Sequence, residues 1–226
     1  MMAAMPQPSY PVLALLAAKA RFYPAFNEPS AIAKQPLQGR VTITREGILG
    51  DEQADRRYHG GPDKALHHYA FDHHASWAQS WGEALPLGQP GGFGENIATT
   101  GLVEEQVLLG DRFRLGTALI EVSHGRQPCF KLNHRFNRAS VVAEIVKTGR
   151  CGWYYRVIEE GHCEVGAGVD LRLEQVAEGL AQWPVARLFR VLVGGGHKAD
   201  SAALAELAAL PQLAEAWRTR ARELQG

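Results

Sequence analysis

Cysteine is scarce in this chain. Cys129, Cys151 and Cys163 cannot all pair with one another, and no C-x-x-C occurs. That excludes a disulfide framework and a cysteine-held iron–sulfur cluster, and it makes the cytoplasm the expected location. An excess of charge of one sign is also missing. Lys plus Arg and Asp plus Glu each number 24, so the formal net charge is zero. A broad basic face for a nucleic-acid polymer is therefore not expected, although a local pocket can still grip one phosphate. No apolar run reaches the roughly 20 residues of a membrane helix. "VLALLAAKA" (Val12–Ala20) resembles the core of a signal peptide, but the preceding "MMAAMPQPSYP" has no Lys or Arg, so we read a buried strand. The dinucleotide pattern G-x-G-x-x-G, the phosphate loop G-x-x-x-x-G-K-[ST] and the zinc motif H-E-x-x-H are all absent.

What is present is a chain of 226 residues, 46% hydrophobic and 21% charged. That balance suits one large globular domain, or a domain with an appendage, with a core that needs no covalent staples. Strand signals dominate the first three quarters. "RVTIT" alternates Val41 and Ile43 inward. "EQVLLGDRFRLGTALIEV" reads as three strands joined by turns at Gly110-Asp111 and Gly116-Thr117. "GVDLRLEQV" predicts another strand. Short strands with glycine turns and few helices predict a mainly β fold, a barrel with helical insertions.

Two helices are predicted inside this region. One covers "PDKALHHYAFDHHASWAQSW", with Pro62 and Asp63 in its first turn and Gly82 past its end. The other covers "SVVAEIVKTG", with Ser140 as N-cap and Gly149 as terminator. Beyond about residue 175 the pattern changes to three amphipathic segments, "PVARLFRVLV", "DSAALAELAAL" and "LAEAWRTRAREL". Each is too short to be stable alone, so they must pack together or on the barrel. The expected division is a barrel over residues 1–175 and a three-helix region over 176–226. The tail is compatible with docking a partner, forming a homodimer or covering barrel surface.

Four stretches could carry chemistry. In "SHGRQPCFKLNHRF", Cys129 follows Pro128, with Arg126 three residues before it and Lys131 two after. Cations can pull a thiol below its usual pKa of about 8.5 and give a nucleophilic, metal-binding thiolate. A buried structural cysteine is the alternative. Cys151 and Cys163 lack such neighbours and read as structural. In "RRYHGGPDKAL", the Gly60-Gly61 pair permits close backbone approach, the following helix start offers N–H groups to an anion, and His59 and Lys64 flank the turn. "GGFGENI" ends in Glu95-Asn96 and reads equally well as a flexible loop. "GILGDEQAD" supplies Asp51 and Glu52. His67, His68, His73 and His74 fall on one predicted helix and suggest zinc, but no cysteine pair accompanies them. Surface or packing roles fit them better.

Together, "HGGPDKALHHY", "FGENI", "LGDRFRLG" and "RQPCFKL" resemble the MOSC domain, named for the C-terminal part of molybdenum cofactor sulfurase. "PSAIAKQPL", "GDEQAD" and "GWYYRVI" are similar to its bacterial YiiM type, as is the helical tail. The resemblance runs from about Val12 to Glu223. It implies a β-barrel that binds the molybdenum cofactor, a molybdopterin, with Cys129 as the molybdenum or sulfur ligand. A thiolate is a soft donor suited to such a metal. The anionic pterin tail needs cations and N–H donors, for which Arg126, Lys34, Lys64, Gly60, Gly61 and Asn96 are the candidates. His59 is the candidate proton donor. His124 has no assigned place in the pattern.

The activity this resemblance implies is reduction of N-hydroxylated compounds, hydroxylamino-purines and related base analogues, by a pyridoxal phosphate-independent molybdoenzyme. Since no flavin or dinucleotide motif is present, electrons would come from a separate flavoprotein reductase. The alternative is a cofactor or sulfur carrier that uses a Cys129 persulfide without substrate turnover.

Overall fold

The computed structural model describes residues 7–82, 86–166 and 168–226. The principal strands are β1 (Ser9–Ala17), β2 (Gly39–Thr44), β3 (Leu66–Ala70), β4 (Ile97–Thr99) and β5 (Arg112–Leu115). They continue with β6 (Ala118–Gly125), β7 (Trp153–Glu159), β8 (Gly161–Val165) and β9 (Asp170–Gln175). Seven of them form a closed ring in the order β9-β5-β6-β7-β3-β4-β1, with β1 pairing back onto β9 through Ser9↔Arg172 and Pro11↔Asp170. Closure removes the exposed sheet edges that would otherwise template aggregation. All pairs in the ring are antiparallel except β3 with β4. β2 and β8 pair with each other in a separate small sheet.

The expected alternation holds in β2, where Val41 and Ile43 are buried and Thr42 is exposed. The Gly116-Thr117 turn joins β5 to β6 as expected. Gly116 has φ +59°, and a Cβ there would fall 2.2 Å from the His162 carbonyl oxygen, so only glycine fits.

The helices are α1 (Arg56–His59), α2 (His73–Trp81), α3 (Lys131–Arg135), α4 (Val141–Thr148), α5 (Val185–Leu192), α6 (Ser201–Ala209) and α7 (Glu215–Glu223). The last three are the expected tail helices. They do not stand apart: Trp183, Phe189, Leu207 and Trp217 lie in one continuous core with Val107, Leu109, Cys151 and Trp153 of the barrel region. Backbone bonds from Leu109 N to Trp183 O (3.0 Å) and from Val185 N to Val107 O (2.8 Å) fasten the tail on. Burying each large side chain there contributes about 1.5–3 kcal/mol, which offsets the weakness of three-turn helices.

Three local expectations are corrected. The long helix from Pro62 is instead a 3-10 turn (Pro62–Lys64), the strand β3 and then α2. All five residues of β3, "LHHYA", are buried, so no period-2 pattern marks it. The anion-binding helix start expected at Pro62 is therefore absent. Of the three strands read in "EQVLLGDRFRLGTALIEV", the first is a turn with only a bridge between Leu108 and Pro184. Ser140 precedes α4 as expected but caps nothing: its hydroxyl donates to Glu144 Oε1 at 2.6 Å. Gly149, in the left-handed conformation, ends α4 as expected.

Candidate functional site

β3 and β7 run side by side on the barrel wall with His67 in register with Tyr154. Their rings meet at 5.2 Å on the outer face. Successive strand residues point to opposite faces, so His68 points the other way. It bonds Tyr155 Oη (3.0 Å) and Thr99 Oγ1 (2.8 Å) and packs on Trp153. Four loops rise around His67 and Tyr154 and enclose a cleft of about 600 Å³, counted with its open mouth.

One wall of the cleft is a neutralised ion pair. The side chains of Lys34 and Asp51 are both buried and bonded to each other. Asp51 also accepts from Ala18 N (2.8 Å) and from Asn96 Nδ2 (2.8 Å). Asn96 spends the rest of its amide on Leu16 O (3.1 Å) and His67 N (3.1 Å). Burial pushes the Lys34 ammonium below its usual range, and Asp51 opposes that shift. The adjoining "GGFGENI" loop is far from flexible. Its fully buried Glu95 carboxylate accepts from Gly91 N (2.5 Å) and Phe93 N (3.0 Å), and Arg135 of α3 donates to Gly91 O and Gly92 O.

The opposite wall is built by the segment that leaves β6. Arg126 N donates to Gly152 O (2.9 Å), the buried Pro128 turns the chain, and Leu132 N bonds Cys129 O (3.1 Å) as α3 begins. This turn presents Cys129, which is partly exposed, between Arg126 and Lys131. Arg126 is buried at 6% exposure, and among the described residues no carboxylate pairs with it. Lys131 donates to Pro29 O (3.1 Å) and lies 3.5 Å from Glu28. Lys64 donates to Tyr58 O (2.6 Å). A buried guanidinium without a carboxylate is costly unless an anion completes it.

These cations act on the histidines. His59 is held down at a pKa of about 4, first by burial and then by Arg126, Lys131 and Lys64. It is therefore neutral at pH 7 in the ligand-free cleft and holds no standing proton to give. His67 is pushed well below its usual range by burial and by Arg126, and its buried Nε2 has no partner among the described residues. Burial raises the Tyr154 phenol.

The cleft thus gathers six of the sequence-derived candidates: Cys129, His59, Arg126, Lys34, Lys64 and Asn96. Gly60 and Gly61 connect His59 to Lys64 without lining it; Gly61, at φ +100°, makes the turn possible. Sequence reasoning missed His67, Lys131 and Tyr154 as site residues. The signal for His67 was strand alternation within "LHHYA", concealed by burial on both faces. The four histidines expected on one helix are divided between β3 and α2. His73 bonds Glu104 (2.6 Å) and His74 bonds Leu87 O (2.7 Å), and neither lines the cleft. Among the described residues no three potential metal ligands cluster. Cys151 and Cys163 are buried, and burial raises both thiols, that of Cys163 to about 11, so neither is a nucleophile at neutral pH. No helix of the described residues is long and apolar enough to cross a membrane.

Comparison with known proteins agrees with this architecture. Residues 55–170 match the MOSC domain, and residues 183–224 match the YiiM-like 3-alpha helix domain. Protein YiiM of Escherichia coli (strain K12) is 44% identical over 68% of this chain and 68% of its own length. A protein named reductase from Gibberella moniliformis is 39% identical over 72% of this chain, a match that spans 28% of that larger protein. The crystal structure of YiiM from Geobacillus stearothermophilus superposes with a TM-score of 0.77 at 29% identity, covering 97% of this chain and 100% of that one. The chain belongs to the MOSC domain family, in the form that carries a YiiM-like three-helix region after the barrel.

Proposed function

We propose that this protein reduces N-hydroxylated compounds, hydroxylamino-purines and related base analogues among them, using the molybdenum cofactor and electrons from a separate flavoprotein reductase. The observation that carries the reading is the juxtaposition, in one cleft, of a partly exposed cysteine with a buried guanidinium that no carboxylate among the described residues pairs. A pterin phosphate would answer Arg126, and a soft metal would answer the Cys129 sulfur. The orphaned Nε2 of His67 offers a further polar contact. The residues present fit the group.

When bound, the cofactor supplies two-electron redox chemistry and an oxygen acceptor. The protein does the rest. Cys129 would hold the metal. Arg126, Lys64 and Lys131 would grip the anionic tail, with Lys34 and Asn96 bracing the wall through Asp51. The reaction, R–NHOH plus two electrons and two protons giving R–NH₂ and water, needs a proton at the departing oxygen. His59 is the residue placed to carry it: a bound anion would offset the cations that add to burial in holding it neutral, and so raise its proton affinity. The Gibberella relative, named a reductase, supports reductive chemistry for this cleft.

The test is turnover of an N-hydroxylated base with NADH and a flavin reductase supplied, in the parent and in Cys129→Ala. Turnover in the parent that drops to background in the variant supports the reading. No turnover in either, with sulfane sulfur on Cys129, would instead favour a persulfide carrier.

A further inference from the structure

The turn that supplies Lys64 to the cleft is tethered on its other side. Asp63, its middle residue, accepts from Arg156 Nε (2.7 Å) and Nη2 (2.7 Å). The Asp63 carbonyl accepts from the Ser123 hydroxyl at 2.6 Å. Arg156 projects from the outer face of β7, two residues beyond Tyr154. Its remaining bonds go to Glu121 Oε1 (2.8 Å) on β6 and to the Gln212 carbonyl (2.9 Å) in the loop between α6 and α7. One guanidinium therefore links barrel wall, tail and cleft turn. It spends its fork on three acceptors, a geometry an ammonium cannot reproduce.

We infer that Arg156 is a positioning residue for anion binding, and that through it the three-helix tail fixes the turn that holds Lys64 in the cleft. This rests on the proposed reading of the cleft as an anion site. Lys64 has its ammonium tied to Tyr58 O and its backbone N–H bonded to Gly61 O, so the lysine is placed by where the turn sits. The turn follows Gly60-Gly61, whose freedom leaves its position undetermined by local sequence. The Arg156–Asp63 pair and the Ser123 bond supply what the glycines do not. The Asp63 carboxylate is paired with Arg156 and makes no ion pair with the Lys64 ammonium, although its charge still acts on Lys64. The tail's role is thus neither solely to cover the barrel nor to dock a partner: its α6–α7 loop helps hold a rim of the cleft in register.

The experiment is calorimetric titration with pyrophosphate of the full-length parent, Asp63→Ala, Arg156→Ala and Arg112→Ala. The Asp63 variant makes the test sharp. Charge alone predicts tighter anion binding when a carboxylate beside the site is removed, whereas loss of the tether predicts weaker binding. We expect Asp63→Ala and Arg156→Ala each to weaken binding about tenfold. Arg112→Ala breaks the pair with the other oxygen of Glu121, Oε2 (2.7 Å), leaves Arg156 its bond to Oε1 and both bonds to Asp63, and should bind as the parent does. Unchanged or tighter binding in Asp63→Ala overturns the inference, as does an equal loss in Arg112→Ala. A parent that binds no pyrophosphate overturns the anion-site reading itself, and this inference with it. Asp63 is partly exposed and its removal leaves the barrel core intact, so the question remains answerable if Arg156→Ala does not fold.

Discussion

Lys34 and Arg126 stand on opposite walls of one cleft and are almost equally buried, at 7% and 6%. Lys34 is answered by Asp51, which is held in turn by Asn96 and by a backbone N–H. Among the described residues Arg126 has no carboxylate. On the proposed reading the difference separates scaffold from site: the matched buried charge holds two loops together, and the one without a carboxylate is left for an incoming anion.

The largest effect that would break this contrast is on stability. Lys34→Ala strands a buried carboxylate and should cost about 3–5 kcal/mol in urea unfolding. Arg126→Ala removes a charge that the ligand-free fold does not satisfy, and should change stability by less than about 1 kcal/mol. Phosphate affinity should show the reverse order, with Arg126→Ala the more damaging of the two. Equal stability losses would mean that Arg126 is scaffold as well.

A smaller effect concerns pH. His59 is held at about 4, and His68 and His124 at about 3, all chiefly by burial. Below pH 6.5 the unfolded chain binds protons on these side chains that the folded chain refuses. Folding stability is thus complete above pH 6.5 and declines as pH falls toward 4. His59→Gln should reduce the slope in that window by up to about 1.4 kcal/mol per pH unit. Repeating the measurement with saturating phosphate should also reduce it, because the anion offsets Arg126, Lys131 and Lys64. A slope indifferent to phosphate would detach His59 from the cationic wall.

Much of this was legible in the sequence. The glycine turns, the alternation of "RVTIT" and the three amphipathic tail segments led to a barrel with a helical appendage. Pro128 between cationic neighbours led to Cys129. What was not legible shares one cause. β3 is covered on both faces, so "LHHYA" lost its alternation and merged with the helix that follows, hiding that His67 and His68 serve opposite sides of the barrel wall. The pairing of Lys34 with Asp51 and the solitude of Arg126 depend on loops far apart in the chain. Local sequence shows Lys34, Lys64 and Arg126 as similar cations and cannot rank them. Nor did it show that Glu95 ties down a glycine-rich loop, since that needs the backbone N–H groups to converge on one carboxylate.

The central claim is that Cys129, at the edge of the unmatched wall, holds molybdenum. Elemental analysis of the parent and Cys129→Ala, purified side by side from molybdate-fed cells, tests it most directly. The account predicts close to molar molybdenum in the parent and little in the variant. A metal-free parent that still reduces N-hydroxylated bases at full rate would contradict it.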